Sequence, residues 1–358
     1  MICNTPITFL VYNRPEKTIR SLESIRKVKP KQLFIVADGP KDDKDRLLVN
    51  KTREILDTID WDCEVTKIYS DRNMGCALRV SSGITEVFSM VDRSIIIEDD
   101  IVASDSFFEF QELMLERYKD DQRVMMVTGW NSFVEYPIEG YGGFFSQTSS
   151  IWGWGTWKRA WAYYRFDPLE NGVIDKINIE KRLNIYMDDP FWVSYHLQCM
   201  EARIWEKLNT WDYQWALAMY TQQAFCITPQ ISQCLNIGFD EQATNTKSAH
   251  PTTFMPEKLK QMQISPVVQI CEHSTSESLW YDRASLILYL LMMQSDLRVL
   301  YLYYKHPNLL PGGLQRKGWE LYLGVFQYPK ICLEIFDLLE KHIEKSKLDP
   351  VREIFNRI

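Results

Sequence analysis

Residues 94–100 read Ser94-Ile95-Ile96-Ile97-Glu98-Asp99-Asp100, a run of β-branched apolar side chains ending in three carboxylates. So short a run of side chains that are stiff at χ1 suits a strand buried on both faces better than a helix. Its charged end has to leave the core, so the strand must stop where a polar crevice begins. Working outward, the same unit recurs over the first 130 residues. Strands are predicted at Ile7–Val11, Gln32–Ala37, Cys63–Tyr69, Ser94–Ile97 and Arg123–Thr128. Helical spacing falls between them at Arg14–Ile25, Asp45–Ile59, Leu78–Val91 and Asp105–Tyr118, the last with Asp105 as its N-cap. The class implied is α/β, a mainly parallel sheet flanked by helices.

Each strand is followed by polar residues: Asn13-Arg14-Pro15, Asp38-Gly39-Pro40, Asp71-Arg72-Asn73, Glu98-Asp99-Asp100 and Gly129-Trp130-Asn131. In an open sheet of this class ligands sit outside the carboxyl ends of the strands, so these groups converge on one crevice. Loops are polar for other reasons too. What points to a site is five strand ends carrying side chains of this kind.

Composition narrows the function classes. Over 358 residues, Lys+Arg 41 against Asp+Glu 48 leaves a formal charge of -7, the wrong balance for a general nucleic-acid binder. Eight cysteines, at 3, 63, 76, 199, 226, 234, 271 and 332, form no C-x-x-C pair, which leaves zinc-ribbon and thioredoxin-like readings without support. The five histidines, at 196, 250, 273, 306 and 342, show no ligand spacing. Met1 runs almost directly into the strand at Ile7 without a basic-then-apolar leader, so a cytoplasmic protein is expected. The longest apolar run, Leu286–Met293, lies between Arg283 and Asp296 and falls short of the ~20 residues a spanning helix needs.

Three adjacent carboxylates at the end of a buried strand repel one another unless a cation neutralises them, and hard divalent ions favour oxygen ligands. Alternation along a strand lets one acid ligate directly while its neighbours support it. A solvated acidic turn is the other reading. Asn73-x-Gly75-x-x-x-Arg79 offers a small-residue turn, a helix N-terminus and an arginine fork, a combination suited to phosphate, though Arg79 also reads as an ordinary helix residue. It matches neither the P-loop nor the dinucleotide fingerprint. Trp211-Asp212-Tyr213-Gln214-Trp215 sets one carboxylate among large rings, as a general base or as the cap of the helix that follows. Trp152-Gly153-Trp154-Gly155-Thr156-Trp157 suggests flat apolar faces for sugar rings, with glycines letting the backbone approach a ligand.

Taken in order, these motifs resemble those of nucleotide-sugar glycosyltransferases of the GT-A fold, above all the bacterial family-2-like enzymes and those of the N-acetylglucosaminyltransferase I type. The likeness spans about residues 5–245. It implies a Rossmann-like catalytic domain and a metal-dependent, inverting transfer from a nucleotide-sugar, a UDP-sugar such as UDP-N-acetylglucosamine, to a hydroxyl of a glycan or lipid-linked acceptor. On that resemblance Asp100 binds Mn2+ or Mg2+, and Glu98 and Asp99 contact the donor or support the ion. Asn13, Arg14, Asp38, Asn73 and Arg79 hold the nucleotide. Asp212 is the base, and Asn131, Trp152 and Trp154 line the sugar and acceptor region. Gly238-Phe239-Asp240 through Thr246 resembles a segment folding over the donor, with Asn245 where relatives often carry a histidine.

A sugar-nucleotide pyrophosphorylase also uses acidic strand ends, but it is expected to carry a Gly-rich basic loop where Asn13-Arg14-Pro15 stands. A carbohydrate-binding protein would use the aromatics alone. The domain division expected is residues 1–250 catalytic (1–130 nucleotide-sugar half, 131–250 acceptor half), 251–279 a linker and 280–358 a helical C-terminal region. There Leu286, Tyr289, Leu290, Met293, Leu297, Leu300 and Tyr304 recur at helical spacing. That face suits packing on the catalytic domain, a homodimer, or contact with the inner face of a membrane.

Overall fold

The computed structural model describes residues 2–132, 135–136, 138–168, 209–238, 268–272, 281–282 and 285. The helical repeat from Leu286 onward, Phe239 to Thr246 with Asn245, all five histidines, Cys199 and Cys332 lie outside the described residues.

Among the described residues nine strands form one sheet. In chain order the first elements are β1 (Ile7–Val11), α1 (Pro15–Val28), β2 (Gln32–Ala37), α2 (Asp43–Leu56), β3 (Glu64–Tyr69), α3 (Cys76–Met90) and β4 (Arg93–Glu98). Then come β5 (Ile101–Ala103), α4 (Asp105–Arg117), β6 (Val124–Thr128), β7 (Gly143–Ser146), β8 (Trp154–Trp157) and the short α5 (Lys158–Trp161). The last are α6 (Asp212–Thr221), β9 (Phe225–Pro229), β10 (Cys234–Asn236) and β11 (Ile270–Cys271). The sheet order is β11-β7-β9-β6-β8-β4-β1-β2-β3, while β10 and β5 make a separate antiparallel pair. β1 is parallel to β2 and β4, β2 to β3, and β6 to β9, whereas β8 runs antiparallel between β4 and β6. The architecture is therefore mixed α/β, with a large and mostly parallel sheet flanked by helices.

The unbroken apolar runs follow from this layering. Ile95 and Ile97 face α1 and α4 through Leu22, Ile25, Phe107 and Phe108, whereas Ile96 faces Ile84, Val87 and Phe88 of α3. Phe9 against Leu10, and Ile35 against Val36, divide in the same way. With both faces covered, no position in these strands is left for a polar side chain to alternate outward.

Some expectations are corrected. Ser104, not Asp105, is the N-cap of α4, its hydroxyl accepting from the Phe107 amide at 3.2 Å. The glycines between the indoles serve packing. A Cβ on Gly155 would lie 2.5 Å from the Gln111 side chain on α4, and one on Gly153 (φ +68°) would lie 2.5 Å from Cys234 Sγ. The stretch expected to be a linker contributes β11 to the sheet, parallel to β7.

α3 lies so close on β2 that a Cβ at Gly83 would come within 2.3 Å of Val36 Cγ1. Because valine is stiff at χ1, Gly83→Ala is expected to destabilise the fold by about 1–3 kcal/mol, measured by urea denaturation.

Candidate functional site

The chain steps from β1 outward to β2 and β3, then crosses back to place β4 on the other flank of β1. The direction of winding thus reverses between β1 and β4, which is where open α/β sheets form a ligand crevice. The residues leaving these two strands meet there. Arg14 Nη2 lies 2.5 Å from Asp99 Oδ1, and Nη1 lies 2.7 Å from Asp100 Oδ2. The Tyr12 amide donates to Asp99 Oδ2 at 3.2 Å, and the Ser21 hydroxyl donates to the Asp99 carbonyl at 2.9 Å.

Charge at the switch point is unbalanced. One guanidinium faces Glu98, Asp99 and Asp100. Burial would lower the Arg14 pKa, but Asp99, then Asp100 and Glu98, more than reverse this. Glu98 is pushed upward by burial, then by Asp100, against the pull of Arg14. Asp99 is also raised, by burial first, with Arg14 opposing. Burial and mutual repulsion thus disfavour full ionisation of the three acids beside a single guanidinium.

Asp212 joins this group from far along the chain. Its charge adds to the upward push on Glu98. The segment before it touches α3: Asn209 Oδ1 accepts from the Ala77 amide at 2.9 Å, and a Cβ on Gly75 (φ +83°) would lie 3.0 Å from that same oxygen. Asp212 is the first residue of α6 rather than its cap, which is Trp211, and its carboxylate accepts from the Thr210 hydroxyl. Cys76, which opens α3, stands between the groups. Burial, then Glu98 and Asp212, push its thiol up to about 12, which disfavours the thiolate.

Other expected site residues turn inward. The Asp38 carboxylate, 5% exposed, accepts from the amides of Gly39, Met74 and Gly75 at 2.8, 2.9 and 3.0 Å and from Asn73 Nδ2 at 3.0 Å. It therefore builds the Asn73–Gly75 turn instead of presenting free oxygens to a ribose. Arg79 is buried, with Nη2 on the Ile68 carbonyl at 3.2 Å and Nη1 on Met74 Sδ at 3.8 Å, and burial lowers its pKa. It ties α3 to the end of β3 and does not stand clear for a diphosphate. Asn131 is fully buried, its Nδ2 donating to the carbonyls of Pro229 and Gln230 at 2.8 and 3.2 Å. Trp154 is also fully buried, packed 5.6 Å from both Trp211 and Trp215. Neither lines a surface. Trp152 is half-buried, edge-on to Trp130 at 4.9 Å.

Two residues at the centre of the β1–β3 loops escape a reading of the sequence. Asp45 accepts from the Tyr12 hydroxyl, from Asn13 Nδ2 at 2.5 Å and from the Lys41 amide at 2.8 Å, while Asn73 Nδ2 reaches the Tyr12 oxygen at 3.0 Å. This network joins the loops after β1, β2 and β3. In sequence Asp45 sits in the charged stretch Lys41-Asp42-Asp43-Lys44-Asp45, which looks like any solvated helix start.

Segment 236–238 closes the other flank of the acids. The Ile237 amide donates to the Asp100 carbonyl at 2.8 Å, and a Cβ on Gly238 would fall 2.2 Å from Asp100 Oδ2. Among the described residues no group of three or more His, Cys, Asp or Glu side chains is arranged to hold a metal ion. In this arrangement both Asp99 oxygens and Asp100 Oδ2 are already engaged, by Arg14 and by the Tyr12 amide.

Removing the guanidinium leaves buried carboxylates unpaired. Arg14→Ala is expected to cost about 3–5 kcal/mol in urea denaturation at neutral pH, and adding Asp99→Asn should recover part of that loss. Strict additivity of the two substitutions would show that the pair is not coupled.

No protein-family model matches the chain, and no curated protein matches it. Among solved structures it is similar to UDP-glucose pyrophosphorylase complexed with UDP-glucose, at 9% identity over 66% of this chain and 93% of that one, TM-score 0.32. It is similar to 4-diphosphocytidyl-2C-methyl-D-erythritol synthase from Anaerococcus prevotii at 12% identity, over 44% of this chain and 73% of that one, TM-score 0.27. For the inositol-1-phosphate CTP transferase from T. maritima the values are 8%, 45%, 73% and 0.27. Likeness this slight carries no argument about ligand or reaction.

Proposed function

We propose that the chain is a nucleotide-sugar glycosyltransferase of GT-A type that moves a sugar to an acceptor hydroxyl with inversion. The observation carrying this reading is that Asp212, from the acceptor half, lies within electrostatic reach of Glu98 in the strand-end acid cluster. An acid cluster alone suits any enzyme that binds a nucleoside diphosphate. A second carboxylate that feels this cluster, at the start of a helix whose Trp211 and Trp215 pack on Trp154, suits the removal of a proton from an acceptor.

In the reaction proposed, the acceptor oxygen bonds to the anomeric carbon from the face opposite the diphosphate. The bond from that carbon to the phosphate oxygen breaks, the acceptor proton passes to Asp212, and the nucleoside diphosphate leaves. Asp100, with Glu98 beside it, would hold Mn2+ or Mg2+, which when bound supplies charge neutralisation for the leaving group. Arg14 keeps the acids together at the switch point rather than gripping the nucleotide. Asn13, Asp38, Asn73 and Asp45 shape the loops on the nucleotide side. The partners are a UDP-sugar and a glycan or lipid-linked acceptor. No helix among the described residues is long and apolar enough to cross a membrane.

Calorimetry with UDP should give binding that depends on Mn2+, and Gly238→Ala, which crowds Asp100, should weaken it. With UDP-N-acetylglucosamine as donor, Asp212→Asn is expected to bind within about twofold of the wild type and to lower kcat by about 10²–10⁴. Undiminished UDP release in chelator would remove the metal role, and normal transfer by Asp212→Asn would remove the base. Pyrophosphate formed from UTP and a sugar 1-phosphate would instead identify a nucleotidyltransferase.

A further inference from the structure

We propose that Tyr281 and Asp282 are positioning residues, which hold in place the two loops bordering the acid cluster on the side away from β2 and β3. They thereby add two residues far along the chain, Tyr281 and Asp282, to the frame of the site. Calling that side the acceptor side rests on the function proposed above; the positioning itself does not.

The carboxylate of Asp282, 5% exposed, is directed entirely at one turn. Oδ1 accepts from the Ser146 hydroxyl at 2.6 Å, from the Thr148 hydroxyl at 3.2 Å and from the Thr148 amide at 3.3 Å. Oδ2 accepts from the Gln147 amide at 2.9 Å. Its neighbour Tyr281, 2% exposed, packs its ring 4.8 Å from that of Phe144 and accepts at its hydroxyl from the Ser132 amide at 2.9 Å. Two consecutive side chains thus take up backbone N–H groups from the loop after β6 and the loop after β7. These N–H groups are partly buried, and the pair supplies acceptors to both loops, beside the Ser146 hydroxyl that also takes the Thr148 amide at 3.0 Å.

The loop after β6 leaves the sheet at the same end as the acids, whereas β7 runs the other way, so the loop after it leaves at the opposite end and returns to the crevice end by Ser150. The first carries Trp130 and Asn131 from the carboxyl end of β6. The second leaves Ser146 and is tied again at its far end, where the Thr128 hydroxyl donates to the Ser150 carbonyl at 2.8 Å and the Gly129 amide donates to the Gly153 carbonyl at 2.7 Å. Trp154, next in the chain, pairs with Ile96 and with Thr128. The Cβ position of Gly153 lies 3.3 Å from Ile101 Cγ2, on the residue that follows Asp100. A shift of the 146–148 turn therefore reaches the wall beside the acids through a loop fastened at both ends, while the β1–β3 loops stay out of its path.

The full chain carrying Tyr281→Phe, which keeps the ring and deletes the acceptor, and Asp282→Asn tests this. Hydrogen exchange at Ser132 in the first variant, and at Gln147 and Thr148 in the second, should quicken by about tenfold or more, with β1 and β4 unchanged. Release of UDP from UDP-N-acetylglucosamine should show an unchanged donor KM and a kcat lower by about tenfold. Unchanged exchange at those amides, or a parallel loss in donor KM and in the protection of β1 and β4, would overturn the proposal. Should Asp282→Asn fail to fold, Tyr281→Phe decides on the same readouts. If the wild type neither binds UDP nor releases it, the proposed function falls, and the exchange data still decide whether the pair holds the loops.

Discussion

The ion pair between Arg14 and the carboxylates of Asp99 and Asp100 is the constraint on which the rest of the structure depends. β1 and β4 lie side by side, so the chain leaving each must emerge at the same point of the sheet. Three acids leaving β4 would repel one another and the core beneath them. A guanidinium leaving β1 answers with two forked contacts, and it keeps its charge where a lysine would more readily lose it. Pro15, at the first position of α1, fixes the backbone direction immediately after that arginine. A single guanidinium serves both Asp99 and Asp100, and Glu98 is held well above the usual carboxylate range by burial and by Asp100.

Around this point the polar residues divide into those that carry charge and those that shape backbone. Asp38, Asp45 and Asn73 belong to the second group. They are acids and amides at strand ends, as a ligand site would require, but their hydrogen bonds go to neighbouring loops. The aromatic residues divide in the same way. Trp154, Trp161, Trp211 and Trp215 form a core cluster in which Trp161 stacks on Tyr164 at 4.3 Å and contacts Trp215 at 5.2 Å. That cluster fixes the start of α6, and with it Asp212, against a sheet whose nearest strand is far from it in sequence. Trp130 and Trp152 remain nearer the surface.

The first 130 residues were legible because period and composition are local. Strands β1 to β4 and β6 fall within a residue or so of where branched apolar runs predict them, and the acid cluster and Arg14 stand out at strand ends. Direction of side chains was not legible. Spacing alone leaves Arg79 open between a phosphate arm and an ordinary helix residue, and Trp154 between a sugar platform and core packing; the fold buries both side chains. Ser104 and Asp105 are equally good caps by residue type, so only backbone geometry separates them.

What the sequence by itself determined is the α/β rhythm and the chemistry available at each strand end, because both depend on residues adjacent in the chain. Only the tertiary structure decided which of those groups meet. Tyr12 finds Asp45 33 residues away, Arg14 finds Asp100 across 86, and Ser146 finds Asp282 across 136. Partners so distant leave no periodic trace in the sequence. Their contacts are set by strand order and by the closeness that glycines such as Gly75, Gly153 and Gly238 permit, quantities that exist only once the sheet has formed.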